Sequence, residues 1–127
     1  MSGKRLVMAG ALLAAAGVGL GAFGAHALEG RLDAKELGWW ETATTYLLPH
    51  AVASVAVGLS GRSDLQLPGG LLAYGGALFA GTLYAMALGG PRWLGAVTPI
   101  GGTLLILGWL LLAWHDAKGL TAGAGRP

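Results

Sequence analysis

The chain has 127 residues, 54% of them hydrophobic, with 8 basic and 6 acidic side chains, 24 glycines and no cysteine. A charged fraction of 11%, against about 25% in soluble domains, excludes an ordinary soluble fold; the apolar content excludes disorder, and the glycines lack the three-residue period of collagen. The missing cysteines remove disulfides, thiolate metal sites and thiol nucleophiles, and the basic residues, scattered from Lys4 to Arg126, make no nucleic-acid footprint.

Charges divide the sequence into four uncharged stretches, residues 6–28, 42–61, 65–91 and 93–115. Each reaches the roughly 20 residues a helix needs to cross a bilayer. The expected fold is therefore all-α, a four-transmembrane-helix bundle forming a single integral membrane domain, with helices near 5–27, 41–61, 67–90 and 94–115. A flexible tail is expected over 117–127. The first stretch has the alternative reading of a cleaved signal peptide, since Lys4 and Arg5 precede it and Ala25-His26-Ala27 resembles a cleavage site, but its length favours a retained helix.

Helix one presents small residues at Gly10, Ala14, Gly17 and Gly21, a face suited to close helix packing. Between helices one and two, Leu28, Leu32, Trp39 and Trp40 share a helical spacing with charges elsewhere. That pattern predicts a short interfacial helix, with Asp33 as a cap, or a polar loop ending in an aromatic anchor. Helix two carries Thr42, Tyr46, His50 and Ser54 every four residues, a slowly drifting polar stripe. Pro49 removes one helical hydrogen bond beside His50 and predicts a kink.

Helix three has Ala77-x-x-x-Gly81, and helix four has Pro99 near its start, the end of a helix at which proline is best tolerated. Gly17, Gly21 and Gly81 are the expected packing positions, within the chain or against a second copy. Trp39, Trp40 and Trp93 fall at one interface and Trp114 at the other, as an aromatic belt requires, while Trp109 lies deeper. With both termini on one side, that side holds Lys4, Arg5, Arg62, Lys118 and Arg126, and the other holds Arg31, Lys35 and Arg92. The excess places both termini in the cytoplasm.

His26 and His115 end helices one and four on opposite sides and cannot share a metal. Two histidines without a nearby carboxylate or thiolate make a thin site, so no metal or cofactor is expected. Zinc-protease, nucleophile-elbow and phosphate-loop motifs are absent.

Four strings carry a resemblance: Gly21-Ala22-Phe23-Gly24-Ala25-His26, Trp40-x-Thr42-Ala43-x-x-Tyr46-x-x-x-His50-Ala51, Gly81-Thr82-Leu83-Tyr84, and Leu94-Gly95-x-x-Thr98-Pro99-Ile100-Gly101-Gly102. In this order they resemble the small membrane family of unknown function that includes eukaryotic transmembrane protein 256 and many short bacterial inner-membrane proteins. The resemblance covers roughly residues 5–115; it implies about four helices and no established activity. Carried over residue by residue, it suggests His26, Tyr46, His50, Tyr84 and Thr98 as a polar cluster, which the topology draws toward the outer half of the bilayer. The expected role is non-enzymatic, a structural or accessory subunit whose partners are the lipid bilayer and a homo-oligomer or larger membrane complex. The alternative is a small homo-oligomeric transporter or channel with a polar site near His50.

Overall fold

The computed structural model describes residues 1–124. Helix α1 (Gly3–Phe23) is capped by the Ser2 hydroxyl, which accepts from the amide of Arg5, and continues into a π-helical segment, Gly24–Leu28. Helix α2 (Ala34–Leu59) is followed by a 3-10 turn (Ser63–Leu65), helix α3 (Gln66–Ala87) and helix α4 (Leu94–Ala124). All four are long and apolar enough to cross a membrane, and among the described residues there is no strand.

Two boundaries differ from the sequence reading. No separate interfacial helix forms: Asp33 and Glu36 build a reciprocal capping box that starts α2 itself, and no breaker follows before the apolar stretch, so residues 34–40 become the first turns of the spanning helix. The connection shrinks to residues 29–33. Pro49 sits inside α2, with helix on both sides of it. Finally, α4 runs to Ala124 instead of giving way to a flexible tail after Asp116. Ala117, Lys118, Leu120 and Ala122 are good helix formers and no proline intervenes; the last three residues of the expected tail, 125–127, lie outside the described residues.

Glycines set the helix order. Close approaches pair Gly3 with Gly58, Gly10 with Ala51 and Val55, Gly17 with Leu48, Gly21 with Thr44 and Gly24 with Trp40. Numbers rise along α1 as they fall along α2, so the pair is antiparallel. The same holds for α3 against α4, where Gly108 meets Leu72, Gly101 meets Phe79 and Gly95 meets Met86, and for α2 against α3, where Gly69 meets Val57 and Gly76 meets His50. The two termini and the α2–α3 turn thus share one end of the bundle, and the α1–α2 and α3–α4 connections share the other, called here the connection end.

Helices α2 and α3 are central, α1 flanks α2, and α4 flanks α3. Half of the apolar window of α3 is buried within the chain, against 17% for α1, so most of α1 faces outward. The core near the connection end gathers Leu28, Trp40, Ala43, Leu47, Ala80, Leu83, Tyr84 and Ala87. A smaller core of Leu6, Val57 and Leu65 closes the other end. There the Arg62 guanidinium bridges Asp64 at 2.8 Å and Asp116 at 3.1 Å, tying the α2–α3 turn to α4. The two carboxylates raise the pKa of Arg62 further, Asp64 chiefly.

Candidate functional site

Three separate links between helices use hydroxyl, indole and imidazole groups. Nearest the connection end, α1, α2 and α3 meet at Trp40. Its indole N–H donates to the carbonyl of Leu20 at 2.8 Å, and its ring stands edge-on to Tyr84 with centroids 4.5 Å apart. The ring fits only because Gly24 has no side chain; a Cβ there would collide with the indole. The Tyr84 hydroxyl is hydrogen-bonded to the hydroxyl of Thr44 on α2. Trp40 and Tyr84 are both buried.

A second link joins α3 to α4. The hydroxyls of Thr82 and Thr98 lie 2.7 Å apart, both side chains buried. Thr82 also reaches the Phe79 carbonyl at 3.0 Å, and Thr98 the Leu94 carbonyl at 3.1 Å. Each hydroxyl has one proton and can accept besides, so the pair shares one donated bond while a helix carbonyl takes the other proton.

The third link spans α2 and α4 farther from the connection end, on an outer face of the bundle. His50 lies 16 residues after Ala34, and Trp109 lies 15 after Leu94. At 1.5 Å per residue both side chains sit roughly 23 Å from the helix starts at the connection end. The indole N–H of Trp109 donates to Nε2 of His50 at 3.0 Å, and Nδ1 of His50 bonds the carbonyl of Tyr46 one turn earlier.

A carbonyl can only accept and an indole N–H can only donate. The protonation state of His50 follows: Nδ1 carries the proton, Nε2 carries the lone pair, and the ring is neutral. Tyr46 stacks nearly parallel to the imidazole, with an interplanar angle of 4°, and tilts against Phe79. Below them Ser54, fully buried, donates to the carbonyl of His50 at 2.8 Å.

The five residues expected as one cluster are therefore divided. Tyr46 and His50 are together, Tyr84 belongs to the Trp40–Thr44 site, and Thr98 pairs with Thr82. His26 is exposed in the π-helical segment. No hydrogen bond among the described residues joins these groups to one another. Nor do the described residues contain a group of three or more side chains able to hold a metal.

Of the expected packing positions, Gly17 and Gly21 lie against Leu48 and Thr44, whereas Gly81 faces open space and packs against nothing within the chain. The reason is helical phase: α3 turns Ala80, Thr82, Leu83 and Tyr84 inward, leaving Gly81 on its outer side. Thr44, Thr82 and Trp109 were not singled out as site residues by sequence, although Trp109 and His50 stand at matching depths once helix starts are known.

This combination, four apolar spanning helices joined by short turns and stitched by hydroxyl, indole and imidazole links, defines a multi-pass α-helical membrane protein. The chain belongs to the family described as protein of unknown function (DUF423), whose match covers residues 20–102. A UPF0382 membrane protein of Staphylococcus saprophyticus is 48% identical over 86% of this chain and 93% of its own length. The UPF0382 membrane protein YwdK of Bacillus subtilis is 40% identical over 91% and 98%, and a UPF0382 membrane protein of Haemophilus influenzae is 42% identical over 80% and 84%. No solved structure matches the chain.

Proposed function

We propose that this protein is a non-catalytic structural or accessory subunit of a bacterial inner membrane. The observation that carries the reading is the state of His50, the most chemically versatile side chain at membrane depth. Both of its ring nitrogens are engaged, one by a carbonyl and one by an indole N–H, so neither is free to take a metal or relay a proton without dismantling the link. The Thr44–Tyr84 and Thr82–Thr98 pairs are likewise used between helices. Polar groups at this depth are costly unless satisfied, and here they serve assembly.

The excess of Lys and Arg at the end holding both termini supports a cytoplasmic location for that end, and relatives named as membrane proteins in bacteria support a bacterial membrane. The motif strings further support kinship with the transmembrane protein 256 group. Tyr46 is 46% exposed within the chain at a depth where a phenol prefers a partner, which supports a homo-oligomer or a larger complex covering the α2–α4 face.

A photo-crosslinker placed at Tyr46 in cells tests the reading. A defined product, with a second copy or one membrane subunit, is expected. Solute or proton flux through liposomes holding this protein alone, abolished by His50→Phe, would contradict it and favour the transporter alternative.

A further inference from the structure

At the connection end a groove of about 240 Å³ opens between the first turn of α2 and the α3–α4 turn. Its walls bring together Asp33, Lys35, Glu36, Trp39 and Arg92, with the backbone of Gly90 beneath. The floor is shaped by glycine: Gly89 has φ +95°, and a Cβ on Gly90 would stand 2.7 Å from the Ala85 carbonyl oxygen. The same turn is tied down by the Gly90 amide bonding that carbonyl at 2.8 Å.

The carboxylates are fixed in place. One oxygen of Asp33 accepts from the Glu36 amide at 2.8 Å, and one oxygen of Glu36 accepts from the Asp33 amide at 2.9 Å. Each keeps a second oxygen that the capping box does not use. The Lys35 ammonium lies 5.1 Å over the Trp39 ring, and Arg92 has no ion pair among the described residues. The groove thus holds two cations and two carboxylates at the level of the interfacial tryptophans Trp39 and Trp93.

We propose that this groove binds a headgroup bearing both a phosphate and a primary ammonium, the phosphoethanolamine class, with Arg92 and Lys35 on the phosphate and Glu36 on the ammonium. The guanidinium fork matches phosphate geometry. A purely anionic ligand would gain from Arg92 and Lys35 but meet the fixed carboxylates, whereas a zwitterion satisfies both signs. A choline headgroup keeps the charge but has no N–H to donate to Glu36, so it loses that charge-assisted hydrogen bond.

The test is native mass spectrometry of the delipidated full-length protein in detergent, titrated with dioleoyl phosphatidylethanolamine, phosphatidylcholine and phosphatidylglycerol, and with soluble glycerophosphoethanolamine. Phosphatidylethanolamine should bind most tightly. Arg92→Gln should weaken it by about ten-fold, the scale of one charge-assisted hydrogen bond. Glu36→Gln keeps the capping acceptor and should lower phosphatidylethanolamine to the phosphatidylcholine level without weakening phosphatidylglycerol. Binding of the diacyl lipid alone identifies a bilayer source, and equal binding of the soluble headgroup identifies a free one; either supports the site. Equal binding of the three lipids, or variants that bind phosphatidylethanolamine as the parent does, would overturn it.

Discussion

Trp109 on α4 donates its indole N–H to Nε2 of His50 on α2 at 3.0 Å, joining two helices that are not otherwise neighbours in the packing order. This single bond fixes the ring's tautomer beside the exposed ring of Tyr46, which stacks on the imidazole.

Trp109→Phe keeps an aromatic ring and removes only the donor. Interhelical hydrogen bonds in membranes average about 0.6 kcal/mol and reach about 1.7, so a loss within that range is expected in a reversible unfolding assay in bicelles. His50→Phe should lose a similar amount, and the double variant less than the sum, since both remove the same bond. Strict additivity would separate the two residues.

Thr82→Val and Thr98→Val form a second cycle. Each alone leaves the partner hydroxyl with its own helix carbonyl, so the single losses should be small, and the coupling energy should fall near the same ~0.6 kcal/mol. A coupling indistinguishable from zero would mean the 2.7 Å contact contributes nothing.

Glycines should differ in sign. A Cβ on Gly10 would lie 2.7 Å from the Ala51 carbonyl oxygen and 2.9 Å from the Val55 amide, whereas Gly19 and Gly81 meet nothing within 4 Å. Backbone cannot step aside as a side-chain tip can, so Gly10→Ala should destabilise by about 1–3 kcal/mol through overpacking. Gly19→Ala should be neutral or stabilising by up to about 1 kcal/mol through helix propensity. A stable Gly10→Ala would contradict the close α1–α2 contact. If Gly81→Ala preserves the fold while abolishing an oligomer, that open face is an interface between copies.

The native chain has no cysteine, which gives a clean background for topology. Arg31→Cys should react with an impermeant maleimide added outside the cell, and Ser63→Cys only after permeabilisation. The reverse pattern would invert the orientation.

The spans were legible because charge is excluded from hydrocarbon, so residues such as Arg5, Glu41 and Arg62 bracket the apolar stretches whatever the packing. Gly17 and Gly21 were legible for a related reason, since small residues on an outward-lying helix have few roles besides close approach. The division of the polar residues was not legible. Whether Thr98 meets Tyr84 or Thr82 depends on the rotation of α4 about its axis, which the nearly uniform apolarity of that helix leaves unmarked. The start of α2 was half legible: Asp33 read as a cap, but the continuity of its helix with the span depends on Glu36 completing the box. Trp109 was hidden because its partner is 59 residues away and no local pattern announces it.

The central claim is that His50 serves as a neutral structural link, and histidine nitrogen resonances test it most directly. In protein carrying ¹⁵N-histidine, reconstituted in bilayers at pH 7, His50 assigned by comparison with His50→Phe should show a protonated Nδ1 and an unprotonated, hydrogen-bond-accepting Nε2. The Nε2 signal should shift in Trp109→Phe while Nδ1 stays bonded to the Tyr46 carbonyl. An Nε2–H tautomer, or a doubly protonated ring under these conditions, would contradict the account and return His50 to the proton-handling reading.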